Sequence, residues 1–250
     1  SAVRDQPPDS PGSPTFSLDG REMSDSIGTV PRMIEPCYLR ATRAGYDAVA
    51  ADYAEWVSDH LAAQPLDRAL LAAFAELVHA DGAGPVGDLG CGPGRVTAHL
   101  RCLGLSAFGV DLSPAMVALA RRAYPDLRFD EGSLTAVDAA DGALGGIVAW
   151  YSIIHTPPEE LPMVFAEFRR VLAPGGHLLL AFQVGDEPLR LAEAFGHVVS
   201  LDFYRLQPDR VTQWLGETGL AVLARLLREP EETEKVQQAY VLARKPPMTV

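Results

Sequence analysis

Residues 86–96 read Val-Gly-Asp-Leu-Gly-Cys-Gly-Pro-Gly-Arg-Val, and this run constrains the fold more than any other part of the chain. A short strand, Val86 to Leu89, feeds glycines at positions 90, 92 and 94, and a helical pattern starts at Val96. Such a turn lets backbone approach a ligand without Cβ obstruction, and the helix N-terminus behind it offers unpaired N–H groups. The spacing is Gly-x-Gly-x-Gly. Arg95 stands where a dinucleotide fingerprint places its third glycine for close helix packing, which disfavours NAD and FAD.

Around this run, short apolar segments alternate with helical ones. Strands are expected near 86–89, 107–110, 127–129, 146–150 and 177–182, with helices near 96–103, 114–123 and 162–172 and a loop over 133–141. That alternation predicts a parallel sheet covered on both faces. Two helices precede it, one carrying Tyr46, Val49, Tyr53, Trp56 and Val57 at helical spacing and one over about 65–79. After Phe182 the pattern breaks. Residues 183–208 read as a lid insertion, a helix follows over 208–218, and strands near 220–227 and 239–244 close the chain. Residues 1–44, with six prolines among the first 36, read as a largely disordered segment, and 45–247 as one domain.

Composition narrows the partners. Lys and Arg number 21 against 33 Asp and Glu, a net charge of −12. Nucleic-acid binding draws on neutralised phosphates, so this field argues against DNA, RNA and anionic membranes. The longest nearly apolar stretch, 143–154, is far short of the roughly 20 residues a membrane helix needs. Cys37, Cys91 and Cys102 are scattered and odd in number, which suits reduced thiols. No export or lipidation pattern is seen and no histidine pair has metal spacing. A cytoplasmic, metal-free monomer or homodimer is expected.

About 20 residues beyond the glycine turn, a second strand ends in Asp111, where a carboxylate can accept from both ribose hydroxyls of an adenosine. Asp111 could also simply support the next helix, which Ser113 caps and Pro114 opens. With both segments in view, the chain resembles the class I S-adenosylmethionine-dependent methyltransferases, in particular the type 11 small-molecule methyltransferase family, over residues 45–245. The resemblance rests on Asp88-Leu89-Gly90-Cys91-Gly92-Pro93-Gly94, on Asp111, on Phe129-Asp130-Glu131-Gly132-Ser133-Leu134, on Gly146-Ile147-Val148-Ala149-Trp150, and on the run from Phe168 through Pro174-Gly175-Gly176.

The resemblance implies a Rossmann-like, doubly wound α/β sheet of seven mostly parallel strands with the last antiparallel, a helical N-terminal extension, and a lid between the fifth and sixth strands. It implies S-adenosyl-L-methionine as cofactor, S-adenosyl-L-homocysteine as product and a small molecule as methyl acceptor. Gly90, Gly92 and Gly94, with Cys91 between them, would line the cofactor's methionine and ribose portion, and Asp88 would orient the loop and the cofactor amine. Asp111 would hold the ribose, Leu112 and Met116 would pack near adenine, and Ala149 would face the amine through its backbone. Gly132, Ser133 and Leu134 would border the adenine amine, with Ser133 standing where many relatives have Asp. Tyr46 and Tyr53 match a Tyr-x(6)-Tyr pattern in which the first tyrosine can reach the cofactor carboxylate; on the residues alone they are equally two core aromatics.

In an open α/β sheet the ligand lies beyond the carboxyl ends of the strands. That edge offers Trp150, Tyr151 and His155 after the fourth strand and Gln183 after the fifth, and the insertion adds His197 and Tyr204. His155, whose ordinary pKa suits proton removal near neutrality, is the expected general base, with Tyr151 as second catalytic candidate. A histidine there can instead be structural or hold substrate, and Trp150 can be core. Besides a small-molecule methyltransferase, the sequence leaves open a peptide acceptor and a non-catalytic S-adenosylmethionine-binding protein.

Overall fold

A computed structural model of the chain describes residues 35–82, 84–231 and 234–247. Most of the segment expected to be disordered lies outside these residues. Its last part does not: helix α1 (Cys37–Trp56) starts well before residue 45, directly after Pro36. Polar Thr42, Arg43 and Asp47 interrupt the apolar periodicity there because that side of α1 meets the cleft and the start of a later helix rather than the core. A short helix α2 (His60–Ala63) leads to α3 (Pro65–Ala80), which lays Leu71, Phe74 and Val78 on the sheet.

The alternating core follows as β1 (Val86–Leu89), α4 (Arg95–Cys102), β2 (Ala107–Asp111), α5 (Pro114–Ala123), β3 (Phe129–Glu131) and β4 (Leu144–Trp150). Two 3₁₀ turns, Ile153–His155 and Pro158–Glu160, lead to α6 (Leu161–Val171) and β5 (Leu172–Gln183). After the strands β6 (Leu189–Ala194) and β7 (His197–Phe203) come α7 (Pro208–Glu217), β8 (Ala221–Arg228) and β9 (Gln238–Arg244). The main sheet runs β3-β2-β1-β4-β5-β9-β8, with β9 antiparallel to both its neighbours, as expected for the Rossmann-like class. Side chains of β4 alternate between two cores. Ile147 and Ala149 face α6 and α7 with Phe165 and Leu215, while Val148 and Trp150 face α3 and α4 with Phe74 and Leu100.

Several strand boundaries differ from expectation, among them the start of β4 at Leu144 rather than 146, and two of the differences have a plain cause. β3 starts at Phe129 rather than 127, because Leu127 closes a turn by donating its N–H to the Tyr124 carbonyl. β5 starts at Leu172 rather than 177, because Leu172 pairs with Leu144 before a bulge restores the register at His177.

The insertion at 183–208 holds the antiparallel hairpin β6–β7. It lies along α1, where Val199 and Leu201 cluster with Val49, and Gly45 lets the two elements close up: a Cβ there would stand 2.6 Å from the Leu201 Cδ2. β1 has β2 on one side and β4 on the other, so the chain reverses its winding direction at the β1/β4 boundary, where α/β sheets open for ligands. None of the described helices is long and apolar enough to cross a membrane.

Candidate active site

The glycine turn is built at this boundary. Gly90, at φ +82°, abuts Ser152 after β4, and Ser152 Oγ donates to the Leu89 carbonyl at 2.6 Å. A methyl group on Gly90 would sit 2.1 Å from the Ser152 Cβ, so only hydrogen fits. Gly92, at φ +53°, is glycine for another reason: its missing side chain would point into open space, with only the Tyr53 ring at 3.9 Å.

Asp111 ends β2 beside this turn. Its Oδ2 accepts from the Gly92 N–H at 2.7 Å and its Oδ1 from the Ser113 N–H at 2.9 Å, so both oxygens are fixed in place with lone pairs to spare. Burial pushes its carboxyl above the usual range, while these backbone bonds pull it down. Ser113 caps α5 by accepting from the Met116 N–H, as the sequence predicted, and donates its own proton to Asp47 of α1. Helix α1 is thereby latched across the turn, and Arg43, one turn before Asp47, adds a bond from Nε to the Leu112 carbonyl at 3.2 Å.

These elements enclose a cleft of about 780 Å³, counting its open mouth. Of the residues expected at a site, Tyr46, Tyr53, Gly90, Gly92, Asp111, Leu112 and Met116 line it, as do Gly132, Ser133, Leu134, Trp150, Tyr151 and His155. Tyr38, Leu39, Thr42, Arg43, Thr135 and Thr156 join them without having been singled out. The first four belong to the part of α1 read as disordered; the signal for them was Pro36 followed by a proline-free run up to Pro65.

The remaining expected residues do not line the cleft. Gly94 is packed under the turn, where a Cβ would stand 2.8 Å from the Phe129 ring, and Cys91 is buried beside Phe129 and Ala120. Ala149 faces the α6 core. Asp88 lies beneath the turn, with Oδ2 accepting from Thr97 Oγ1 at 2.6 Å and Oδ1 buried without a partner among the described residues. Gln183 pairs with Gln238 in the sheet. His197 is carried by the hairpin to Asp52 of α1, 3.1 Å away, and Tyr204 is held by its N–H to the Ile154 carbonyl.

His155 and Tyr151 are in the cleft, but neither is a free base. His155 Nε2 lies 2.7 Å from Tyr46 Oη and Nδ1 lies 3.0 Å from the Asp202 carbonyl oxygen, with the Phe203 ring edge-on to the imidazole. Burial lowers its pKa to about 4, below the ordinary imidazole value. Tyr151, held at φ +55°, directs its hydroxyl to Tyr240, 3.4 Å away, which in turn donates to Asp67 at 2.8 Å. Burial raises its pKa, so it remains a neutral phenol.

A pH prediction follows from His155 and Asp88, which burial raises to about 7. His155 is depressed in the fold, so its stability contribution is present above the unfolded pKa of 6.5 and is lost as pH falls towards 4, about 3 kcal/mol in all. Asp88 is raised, so its contribution is present below 3.8 and is lost as pH rises to about 7, about 4 kcal/mol. The two slopes oppose each other between pH 4 and 6.5. Urea unfolding of Asp88→Asn should therefore show stability rising with pH across that window relative to the wild type, and His155→Gln should show it falling. Parallel curves for all three proteins contradict this.

The sheet order, with the antiparallel strand next to β5 and the cleft over a glycine turn, places the protein in the class of Rossmann-like proteins with a methyltransferase fold. Residues 86–176 match a methyltransferase-domain family. The chain is 31% identical over 159 residues to a demethylmenaquinone methyltransferase of Chlorobaculum parvum, covering 62% of this chain and 64% of that protein. It is 37% identical over 116 residues to a trans-aconitate 2-methyltransferase of Rhizobium meliloti, covering 44% and 42%. Among solved structures it is similar to the 1,6-didemethyltoxoflavin-N1-methyltransferase of Burkholderia thailandensis, with a TM-score of 0.64, 21% identity and coverage of 84% and 89%. Over residues 86–176 the chain therefore carries a methyltransferase domain. It spans 64% and 42% of the lengths of these two curated relatives.

Proposed function

We propose that the protein transfers a methyl group from S-adenosylmethionine to an oxygen or nitrogen atom of a small organic metabolite. The observation that carries this reading is Asp111: a carboxylate with each oxygen fixed by a backbone N–H, facing a cleft beside the open side of Gly92. This is the acceptor set that two vicinal ribose hydroxyls need, and Gly92 leaves room for close backbone approach. Leu112, Met116 and Leu134 offer an apolar slot for an adenine ring, with Gly132 and Ser133 at its edge. Asp88, whose Oδ1 is buried beneath the turn without a partner among the described residues, would orient the turn for the cofactor's amine. Tyr53, near Arg95 and over Gly92, closes the other end.

When bound, the sulfonium cofactor supplies an electrophilic methyl group for in-line displacement. The chain's own contribution is then to hold the acceptor in line, keep water out and receive its proton. Tyr46, Tyr151, Trp150 and His155 line the cleft on the β4 side and are placed for that work. The acidic surface favours a small molecule over nucleic acid, and the exposed, unpaired Cys37 and Cys102 suit the cytoplasm.

Thermal denaturation with S-adenosylhomocysteine, and in parallel with NAD, tests the cofactor assignment. At a hundredfold excess over its dissociation constant, S-adenosylhomocysteine should stabilise the fold by about 2.7 kcal/mol while NAD does nothing. Stabilisation by NAD alone overturns the assignment.

A further inference from the structure

The Tyr46–His155 contact has a direction, and the direction selects a substrate. Asp202 offers a backbone carbonyl, which can only accept, so His155 Nδ1 must carry the proton of the neutral ring. Nε2 is then a lone pair, and Tyr46 must donate to it at 2.7 Å. Both rings are braced in this arrangement. Phe203 stands edge-on to His155 with centroids 4.7 Å apart, and Tyr53 stands edge-on to Tyr46 at 5.6 Å. With its hydrogen committed to His155, Tyr46 Oη has only lone pairs left for the cleft, so in this arrangement it faces the acceptor and has no hydrogen for the cofactor carboxylate that the resemblance pairs it with.

Three other hydroxyls lining the cleft are engaged elsewhere, while Tyr38 Oη and Trp150 Nε1, buried without a partner among the described residues, can donate to an acceptor but are no bases. Ser152 donates to the Leu89 carbonyl, Ser133 is bonded to Thr135, and Tyr151 is turned to Tyr240. His155 is the only imidazole among the described lining residues.

Resting on the methyl-transfer reading above, we propose that Tyr46 and His155 form a two-step proton relay, and that the acceptor is therefore a neutral O–H or N–H group whose hydrogen is replaced by the methyl. The acceptor's X–H bond breaks as its X–CH₃ bond forms, the C–S electron pair staying on the departing sulfur. The released proton goes to Tyr46 Oη, and the proton already on Oη passes to His155 Nε2. His155 becomes an imidazolium whose Nδ1–H still rests on the Asp202 carbonyl. Net charge in the cleft is unchanged, because the imidazolium appears as the sulfonium charge is consumed. That is how a histidine too buried to be protonated in the resting protein can still end the relay. Carboxylates and tertiary amines bring no hydrogen and leave the Tyr46 lone pairs facing an acceptor or nothing.

The test compares wild type, Tyr46→Phe, His155→Gln and the double variant of the full chain. Each is given methyl-labelled S-adenosylmethionine and a small-metabolite extract, with S-adenosylhomocysteine affinity measured by calorimetry. Either single change should lower label transfer at saturating cofactor by about 100-fold, the usual scale of a proton-transfer contribution, with affinity for S-adenosylhomocysteine within threefold. The double variant should be little worse than either single one, since the two act as a unit. In ¹⁵N-histidine spectra, His155 should be the Nδ1–H tautomer, and Tyr46→Phe should move its Nε2 resonance. Fragmentation of the product should place the methyl on an atom that carried hydrogen. Undiminished transfer by Tyr46→Phe, a loss explained by cofactor affinity alone, or a methyl ester or quaternary ammonium product overturns the relay while leaving methyl transfer standing. No transfer by the wild type overturns the methyl-transfer reading and the relay with it.

Discussion

Gly90→Ala should lose about 2–5 kcal/mol of folding stability. Two terms add: holding a side chain in left-handed backbone costs about 1–2 kcal/mol, and overpacking costs about 1–3 kcal/mol. Here the new methyl would stand 2.1 Å from the Ser152 Cβ. Ser152 cannot retreat without giving up its 2.6 Å bond to the Leu89 carbonyl, and that bond is what joins the ends of β1 and β4. Gly82 is the internal control. It has nearly the same backbone angle, φ +88°, with nothing within 4 Å of a would-be Cβ. Gly82→Ala should therefore show the backbone term alone. Equal losses for the two variants in urea unfolding contradict a close approach of β1 and β4 at Gly90.

Asp111 governs the second large effect. Its carboxylate organises the turn through Gly92 and Ser113 and also faces the cleft, so Asp111→Ala should weaken S-adenosylhomocysteine binding by about 100- to 1000-fold, from the loss of hydrogen bonds to a charged group worth about 1.5–3 kcal/mol each. Asp111→Asn is the more informative change. An amide has one acceptor oxygen where the carboxylate has two, so it must turn its NH₂ towards the N–H of either Gly92 or Ser113. Affinity should fall by about tenfold or more, from a single unsatisfied donor. Calorimetric affinities unchanged in both variants show that the ribose is not held at the end of β2.

The parts of this molecule legible in its sequence are those set by neighbours in the chain. The turn after Leu89 needs glycine at 90, Ser113-Pro114 signals the start of α5, and alternation of short apolar runs with helices gives the sheet. What escaped depends on distant partners. The first half of α1 looks like a polar segment because Arg43 and Asp47 bond to Leu112 and Ser113, nearly seventy residues away. His155 was legible as a cleft residue, yet its low pKa comes from burial under β7 and α1, which no spacing along the chain reveals. The insertion offered aromatic and histidine side chains as candidate ligands. What it brings to His155 is a backbone carbonyl, that of Asp202, and backbone groups leave no mark in composition. Gly94 illustrates the converse: it belongs to the motif, but Phe129 requires the glycine there.

The most direct measurement is transfer of labelled methyl from S-adenosylmethionine into a cell extract separated into small-metabolite, protein and nucleic-acid fractions. Label should enter one small-molecule product and no macromolecule, with S-adenosylhomocysteine formed in equal amount. Label confined to protein moves the acceptor to a peptide. Absence of label in every fraction, from a chain that still binds S-adenosylhomocysteine, contradicts the account and leaves a protein that holds the cofactor without using it.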